Sequence, residues 1–192
     1  MINLILFGPP GCGKGTQAEN LVNRYNLLHI STGDMFRAEI GGNTPLGIEA
    51  KSYINKGELV PDSVTIKMLA KKMSEHPNVK GFLLDGFPRT IPQAQALDTL
   101  FEERGESITQ LIALQVDEDE LTRRLLKRGE MSERADDRNE EIIRNRFSVY
   151  NEQTTPVAEY YAEQDKTAKI DGTGSIADVT ERLYSAIESV MV

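Results

Sequence analysis

The stretch Gly8-Pro9-Pro10-Gly11-Cys12-Gly13-Lys14-Gly15-Thr16 decides the fold, because it describes a pocket for phosphate. An apolar run at 2–7 precedes it and predicts a buried strand, and a helix-compatible segment at 17–25 follows it. A strand that leads through a glycine-rich turn into a helix directs free backbone N–H groups and the helix dipole towards one anion. Lys14 adds a mobile positive charge for the outer phosphates, and Thr16 adds a hydroxyl close to a phosphate or to Mg²⁺. The stretch therefore predicts a nucleotide phosphate site.

One departure from the general phosphate-loop pattern bears on this interpretation. That pattern places Ser or Thr directly after the lysine, whereas here Gly15 separates Lys14 from Thr16. The alternative is a glycine-rich connection between a strand and a helix that binds no ligand. Because the strand, the lysine and the helix stand in consecutive places, phosphate binding is favoured over that alternative.

Composition limits the class of protein. The 192 residues can bury a substantial core, and hydrophobic (39%) and charged (27%) fractions are ordinary for an enzyme, so we expect one domain over 1–192. The net charge of −8 argues against nucleic acid as a partner, because binding to nucleic acid depends on a basic surface. We find no apolar run of about 18 residues and no secretory signal pattern, so we expect no membrane span. The single cysteine, Cys12, favours a reducing compartment, and we expect a cytoplasmic protein.

Five short apolar runs alternate with helical segments, which is typical of a parallel sheet covered on both faces. The predicted strands are 2–7, 27–30, 81–85, 111–116 and 168–170. The clearest helix follows a capping box that Ser175 and Asp178 form. The predicted fold class is therefore α/β, with a five-stranded parallel sheet flanked by helices.

Two segments fit this core poorly. Residues 31–60 are rich in glycine and lie between two predicted strands, so we expect a small mobile lobe with helices of its own. Residues 129–138 offer almost nothing to bury and carry two arginines, so we expect a short charged loop between two helices that acts as a lid.

Arginine is concentrated in one part of the chain. Seven of the twelve arginines are Arg123, Arg124, Arg128, Arg134, Arg138, Arg144 and Arg146. Arginine is suited to two-pronged recognition of phosphate, but a helix surface with many ion pairs has the same composition. The candidate acidic partners are Glu130, Glu133, Asp136, Asp137, Glu140 and Glu141. We expect both roles, with some arginines structural and others facing a ligand.

A second candidate site follows the third predicted strand. Asp85 ends that strand with a carboxylate, which can hold Mg²⁺ through water or cap the next turn. The stretch Gly86-Phe87-Pro88-Arg89-Thr90 comes next and is followed by Gln93. Arg89 then lies at the carboxyl edge of the sheet, where open α/β folds bind ligands.

These motifs together resemble the nucleoside monophosphate kinases, and specifically the adenylate kinase family, over essentially the whole chain. The resemblance rests on the stretches 8–16, 29–37, 85–90 with Gln93, 124–130 and 134–146, and the Gly15 departure is the form that this family uses. It implies a P-loop kinase fold in which 31–60 is the AMP-binding lobe and 129–138 is a short lid.

The resemblance also implies the roles of individual residues. The implied ATP site consists of Gly11, Cys12, Gly13, Lys14, Gly15, Thr16, Arg128 and Gly174. The implied AMP site consists of Thr32, Arg37, Glu58, Leu59, Val60, Gly86, Phe87, Pro88, Arg89, Gln93, Arg134 and Arg146. The implied catalytic residues are Lys14, Arg89, Arg128, Arg134 and Arg146, and the implied metal ligand is Asp85. The chain carries one residue more than the commonest family spacing near Arg138, so Arg144 is an alternative to Arg146.

The implied reaction is reversible, Mg²⁺-dependent phosphoryl transfer from ATP to AMP, which gives two ADP, in a protein that we expect to be monomeric. An AMP oxygen is already ionised at neutral pH, so the reaction needs no catalytic base, and neither His29 nor His76 is required as one. The segment 129–138 contains no cysteine or histidine, so we expect no zinc site of the kind that longer lids carry.

Three other functions share parts of this pattern. A uridylate/cytidylate kinase shares the loop, the arginines and the lid, but such relatives typically carry alanine at the place of Thr32 and asparagine at that of Thr90. Gln93 offers a carboxamide that can pair with the edge of adenine. A GTP-binding switch needs an Asn-Lys-x-Asp segment that recognises guanine, and residues 55–58 (Asn-Lys-Gly-Glu) match that segment only in part. A scaffold without turnover would leave the arginines without a purpose.

Overall fold

The computed structural model describes residues 1–132 and 134–191, and its centre is one sheet of five parallel strands in the order β2-β3-β1-β4-β5. The strands are β1 (Leu4–Phe7), β2 (Leu28–Ser31), β3 (Phe82–Asp85), β4 (Gln110–Gln115) and β5 (Thr167–Asp171). The predicted fold class is confirmed, and each predicted strand lies within two residues of an observed one.

Nine α-helices within the described residues connect and cover these strands. They are α1 (Lys14–Tyr25), α2 (Thr32–Gly41), α3 (Pro45–Ile54), α4 (Asp62–Ser74), α5 (Ile91–Glu102), α6 (Glu118–Met131), α7 (Glu140–Val149), α8 (Thr155–Ala162) and α9 (Ile176–Glu188). The predicted capping box of α9 is present, since Asp178 N donates to Ser175 Oγ (3.2 Å) and Ser175 N donates to Asp178 Oδ2 (3.1 Å). No helix in the described part of the chain is long and apolar enough to cross a membrane.

The central strand β1 is buried on both faces. Leu4 and Leu6 pack into a core on one side of the sheet, whereas Ile5 and Phe7 pack into a second core on the other side. Successive side chains of a strand point to opposite faces, so an uninterrupted apolar run fits only a strand covered on both sides.

The topology determines where a ligand can bind. The sheet extends from β1 in two directions. Strands β3 and β2 lie on one side of β1, and strands β4 and β5 lie on the other, so the order of the strands reverses at β1. A crevice forms outside the carboxyl ends of the strands at such a point in open α/β sheets. The loops after β1 and β3 carry the two predicted sites to this crevice.

The segment 31–60 contains two helices, as predicted. Ser31 begins α2, and its hydroxyl accepts from Asp34 N at 3.3 Å. Phe36, Ala50 and Val60 form a small hydrophobic cluster apart from the two main cores. The segment therefore has a core of its own.

The segment 129–138 differs from the predicted charged loop. Helix α6 continues to Met131, and Ala135–Asp137 form a 3₁₀ turn. A side chain at Gly129 would meet the Asp137 carbonyl oxygen at 2.6 Å, so glycine here allows the turn to pack on the helix. Asp137 is completely buried, in a segment that was expected to offer almost nothing to bury. Glu133, a predicted ion-pair partner, lies outside the described residues.

Candidate active site

A cavity with a volume of about 650 Å³ lies at the carboxyl edge of the sheet. Its lining includes every residue that the sequence assigned to ATP, to AMP, to catalysis or to Mg²⁺. The volume is in the range of ligand-binding clefts. Residues that are spread from the loop after β1 to the start of α9 thus meet in one space.

The loop after β1 forms one end of the cavity. Gly13 precedes α1 with a φ of 98°, a left-handed conformation that favours glycine, and among the described side chains none caps this helix. Its first N–H groups are thereby available to an anion. Lys14 Nζ donates to the carbonyl oxygens of Gly8 (2.8 Å) and Pro9 (3.0 Å), so the ammonium group lies against the loop.

Asp85 lies at the end of β3, with 13% of its side chain exposed, and its Oδ2 is 3.9 Å from His29 Nε2. The described residues contain no cluster of three or more His, Cys, Asp or Glu side chains able to hold a metal ion. A cation at Asp85 would therefore depend on one carboxylate, on water and on the phosphates of the ligand. Mg²⁺ is commonly bound in this way.

The turn after β3 forms the other end of the cavity. Arg89 Nε and Thr32 Oγ1 both donate to the Gly86 carbonyl oxygen, at 2.7 and 2.8 Å. Gly86 has a φ of 77°, and a side chain there would meet Arg89 Nη2 at 2.9 Å and Thr32 Oγ1 at 3.0 Å. Glycine at this position therefore allows the arginine and the threonine to converge.

Gln93 is 2% exposed and lies in the first turn of α5, directly after this turn. Its Oε1 accepts from Arg89 N at 2.8 Å, and its Nε2 donates to Asp62 Oδ1 at 2.7 Å. The second carboxylate oxygen of Asp62 accepts from Thr90 Oγ1 at 3.0 Å. Asp62 was not predicted as a site residue.

A buried carboxylate holds two of the predicted catalytic arginines. Asp137 Oδ2 accepts from Arg128 Nε at 2.6 Å, and Asp137 Oδ1 accepts from Arg128 Nη2 (3.0 Å) and from Arg146 Nη1 (2.7 Å). Burial alone would raise the pKa of Asp137, but its hydrogen bonds and ion pairs with the two arginines lower that pKa below its ordinary value. Asp137 is therefore ionised and joins Arg128 at the end of α6 to Arg146 in α7.

The geometry distinguishes Arg146 from Arg144. Arg146 lines the cavity with 18% of its side chain exposed and also pairs with Asp136 at 2.9 Å. The Arg144 side chain is 75% exposed, pairs with Glu140 at 2.7 Å and is not among the described cavity residues. The structure therefore favours Arg146 for contact with a ligand in the cavity.

Two further arginines, Arg37 and Arg134, line the same cavity and lie beside one carboxylate. Arg37 Nη2 is 2.5 Å from Asp34 Oδ1, and Arg134 Nη2 is 3.9 Å from the same atom. Burial, together with the nearby charges of Arg37 and Arg128, lowers the pKa of Arg134. These arginines would gain from an anion between them.

The arginine-rich segment contains both kinds of arginine, as expected. Arg123 pairs with Glu120 at 2.7 Å on the surface, and Arg138 donates to the carbonyl oxygens of Gly129 (3.0 Å) and Ser132 (2.7 Å). Arg124 also lines the cavity, although it was not predicted as a site residue. The sequence held two signals for Arg124, its place in the arginine cluster and its place at the start of the 124–130 stretch.

The site can therefore receive two phosphate groups from opposite ends, with arginines between them. A glycine-rich loop after the first strand, an arginine-bearing turn after the third and a carboxylate beside them define a P-loop nucleotide kinase.

The family model described as adenylate kinase matches residues 6–166. Adenylate kinases of Flavobacterium psychrophilum and Flavobacterium johnsoniae are each 50% identical to this chain over 190 residues, which covers 99% of the chain and 100% of each relative. The adenylate kinase of Micrococcus luteus is 47% identical and covers 99% of the chain and 92% of the relative. The chain belongs to the adenylate kinase family.

The activity follows from this membership. The chain is an enzyme that binds ATP, AMP and ADP and transfers a phosphoryl group from ATP to AMP, giving two ADP. The alternative of a uridylate/cytidylate kinase is not favoured.

Proposed function

We propose that the two ends of the cavity divide the two nucleotides between them. The ATP phosphates bind in the loop 11–16, with Arg128 and Gly174 beside the rest of ATP. The AMP phosphate binds between Arg37, Arg89 and the lid arginines. The observation that carries this proposal is that residues from both predicted sites, far apart in the sequence, line one cavity.

Catalysis in this arrangement is electrostatic. The attacking AMP oxygen is already ionised, so the protein needs to align two charged phosphates and to stabilise the charge on the transferred group. Lys14 supplies a charge from the loop, Arg89 from the acceptor turn, and Arg128 and Arg146 from the root of the lid. Asp137 accepts hydrogen bonds from the guanidinium groups of Arg128 and Arg146 and so fixes their relative positions.

Asp85 is proposed to hold Mg²⁺ through water. Its carboxylate lies at the end of β3 beside the phosphate loop and lines the cavity, which fits a single-carboxylate site. Bound Mg²⁺ would neutralise part of the phosphate charge. We propose no zinc site for this chain.

The segments 31–60 and 129–138 are proposed to close over the nucleotides and exclude water that could otherwise accept the phosphoryl group. The two segments already approach each other, since Arg134 Nη2 lies 3.9 Å from Asp34 Oδ1. We further propose that the protein acts as a monomer in the cytoplasm.

The experiment that tests these residue assignments compares Arg146→Lys with Arg144→Lys in helix α7. Lysine keeps the charge but loses the planar, two-pronged guanidinium, so Arg146→Lys should lower kcat at least about tenfold. Arg144→Lys is the matched control and should leave kcat unchanged, because Arg144 is exposed and pairs only with Glu140 among the described side chains. Equal kcat values for both variants would contradict the assignment.

A further inference from the structure

The carboxamide of Gln93 lies between one partner that can only donate a hydrogen bond and one that can only accept. The Arg89 backbone N–H can only donate, and it faces Gln93 Oε1 at 2.8 Å. The carboxylate of Asp62 can only accept, and it faces Gln93 Nε2 at 2.7 Å. Rotating the amide by half a turn would oppose two donors on one side and two acceptors on the other. The partners therefore determine the orientation of this amide.

Asp62 is itself held in place. Its Oδ2 accepts from Thr90 Oγ1 at 3.0 Å, and Thr90 Oγ1 in turn accepts from Gln93 N at 3.3 Å. Asp62 also begins helix α4, where the positive end of the helix dipole favours a carboxylate. The contact between Asp62 and Gln93 thus joins the start of α4 to the first turn of α5.

These contacts use only half of the bonding capacity of the amide. A carboxamide has two N–H donors and two acceptor sites, so one donor and one acceptor of Gln93 remain. Gln93 lines the cavity, and the order of its remaining donor and acceptor is as fixed as the amide itself. A base that enters this pocket therefore meets one hydrogen-bond donor and one acceptor whose positions are fixed.

Purine bases present opposite patterns at the edge in question. Adenine offers an acceptor at N1 beside an amino donor, whereas a 6-oxopurine offers a donor at N1 beside a carbonyl acceptor. A 6-oxopurine would match Gln93 only if the amide turned round, and that rotation would oppose like groups at both Arg89 and Asp62. The buried polar groups would then lack partners, which is costly.

We propose that Asp62 is a positioning residue for base specificity: it fixes the orientation of the Gln93 carboxamide and so favours AMP over a 6-oxopurine nucleotide. This inference rests on the proposed AMP site. Asp62 touches neither phosphate nor base in this role and acts only through Gln93.

The test measures kcat/KM for AMP and for inosine monophosphate, whose base differs from adenine only by a carbonyl in place of the amino group and by a proton at N1. Asp62→Ala should lower the AMP-to-inosine ratio about tenfold, the value of one hydrogen bond to a charged group. The change should appear in KM for AMP, with kcat at saturating AMP unchanged. Asp62→Asn keeps an oxygen that accepts from Gln93 Nε2, so it should keep the ratio within about threefold of wild type.

A matched control lies at the other end of the same helix. Glu75→Ala removes an exposed carboxylate whose ion-pair partner is Lys72 at 3.7 Å, and it should leave the ratio unchanged. If Asp62→Ala does not fold, Asp62→Leu restores the side-chain volume and serves in its place. An equal loss of selectivity for Glu75→Ala and Asp62→Ala would overturn the inference.

Gln93→Leu separates this inference from the assignment of the AMP site. If Gln93→Leu leaves the AMP-to-inosine ratio unchanged, the AMP site is wrong and the inference falls with it. If Gln93→Leu lowers the ratio but Asp62→Ala does not, the site stands and the role of Asp62 is refuted. Because Asp62 acts only through Gln93, the inference predicts that Asp62→Ala has no further effect on the ratio in the Gln93→Leu background.

Discussion

Replacing Asp137 by alanine is expected to lower the free energy of unfolding by about 2–3 kcal/mol. The substitution removes the acceptor of three hydrogen bonds, two from Arg128 and one from Arg146, at 2.6 to 3.0 Å. Loss of one partner of a fully buried pair costs about 3–5 kcal/mol. We take a smaller value because 37% of the Arg128 side chain is exposed, so water can solvate it again.

The effect should depend on pH in a defined direction. The pKa of Asp137 is lower in the folded protein than its ordinary value, since its bonds to Arg128 and Arg146 outweigh burial. Its contribution is therefore fully present above the pKa of the unfolded chain and is lost as pH falls through the folded pKa. The difference in stability between wild type and Asp137→Ala should be largest near neutral pH and should shrink in acid.

Thermal and urea unfolding at several pH values measure this prediction. A change of about 2–3 kcal/mol corresponds to a fall in Tm of about 5–10 °C for a domain of this size. Glu140→Ala is the control, because it removes the exposed partner of Arg144 from the same part of the chain and should have little effect. If the two variants unfold alike, or if the Asp137 effect is independent of pH, the reasoning is refuted.

Two further predictions concern ligand binding. Lys14→Met should fold normally, because the lysine makes only modest bonds to the Gly8 and Pro9 carbonyl oxygens. Its kcat should fall a few hundredfold, which corresponds to about 3–4 kcal/mol for one well-placed charge. A folded variant with near-normal turnover would refute the role of Lys14. An inhibitor that joins two adenosines through a phosphate chain should slow amide exchange in 31–60 and 129–138 and leave exchange in β1 unchanged. Unaltered exchange in the two segments at saturating inhibitor would contradict their closure. A zinc chelator should not change the stability of the protein.

The sheet was predictable because its strands are apolar runs buried on both faces. The first strand begins at Leu4, two residues later than predicted, because side chains replace backbone partners at Asn3, whose N–H donates to Thr109 Oγ1 at 3.0 Å. Asn3 Oδ1 accepts from Phe82 N at 3.1 Å, and the Asn3 carbonyl oxygen accepts from Thr109 N at 2.8 Å. The sequence shows a polar residue at position 3 but not its bonding partners, so it could not show that the strand begins after Asn3.

The motifs that follow β1 and β3 meet in one cavity because both strands end at the same edge of the sheet, whereas Arg128 and Arg146 reach that cavity from the last turns of α6 and α7. The supporting acids were harder to predict. Asp62 and Gln93 are 31 positions apart. Asp137 was named as a candidate ion-pair partner, but the composition of its segment offers almost nothing to bury, so its burial was not predicted. A charged residue is buried only when the fold brings a partner to it, and single-sequence patterns contain no such information.

The state of the arginines gives a physical reason why this cavity selects phosphates. Burial, and then the charge of Arg146, lowers the pKa of Arg89, and burial with the charges of Arg37 and Arg128 lowers that of Arg134. Each shift means that the charged form is less stable there than in water. Phosphate oxygens between these groups would replace the lost solvation and offset the mutual repulsion. In the proposed site, anion binding and alignment for transfer would therefore depend on the same arginines, which is the condition under which binding energy contributes to catalysis.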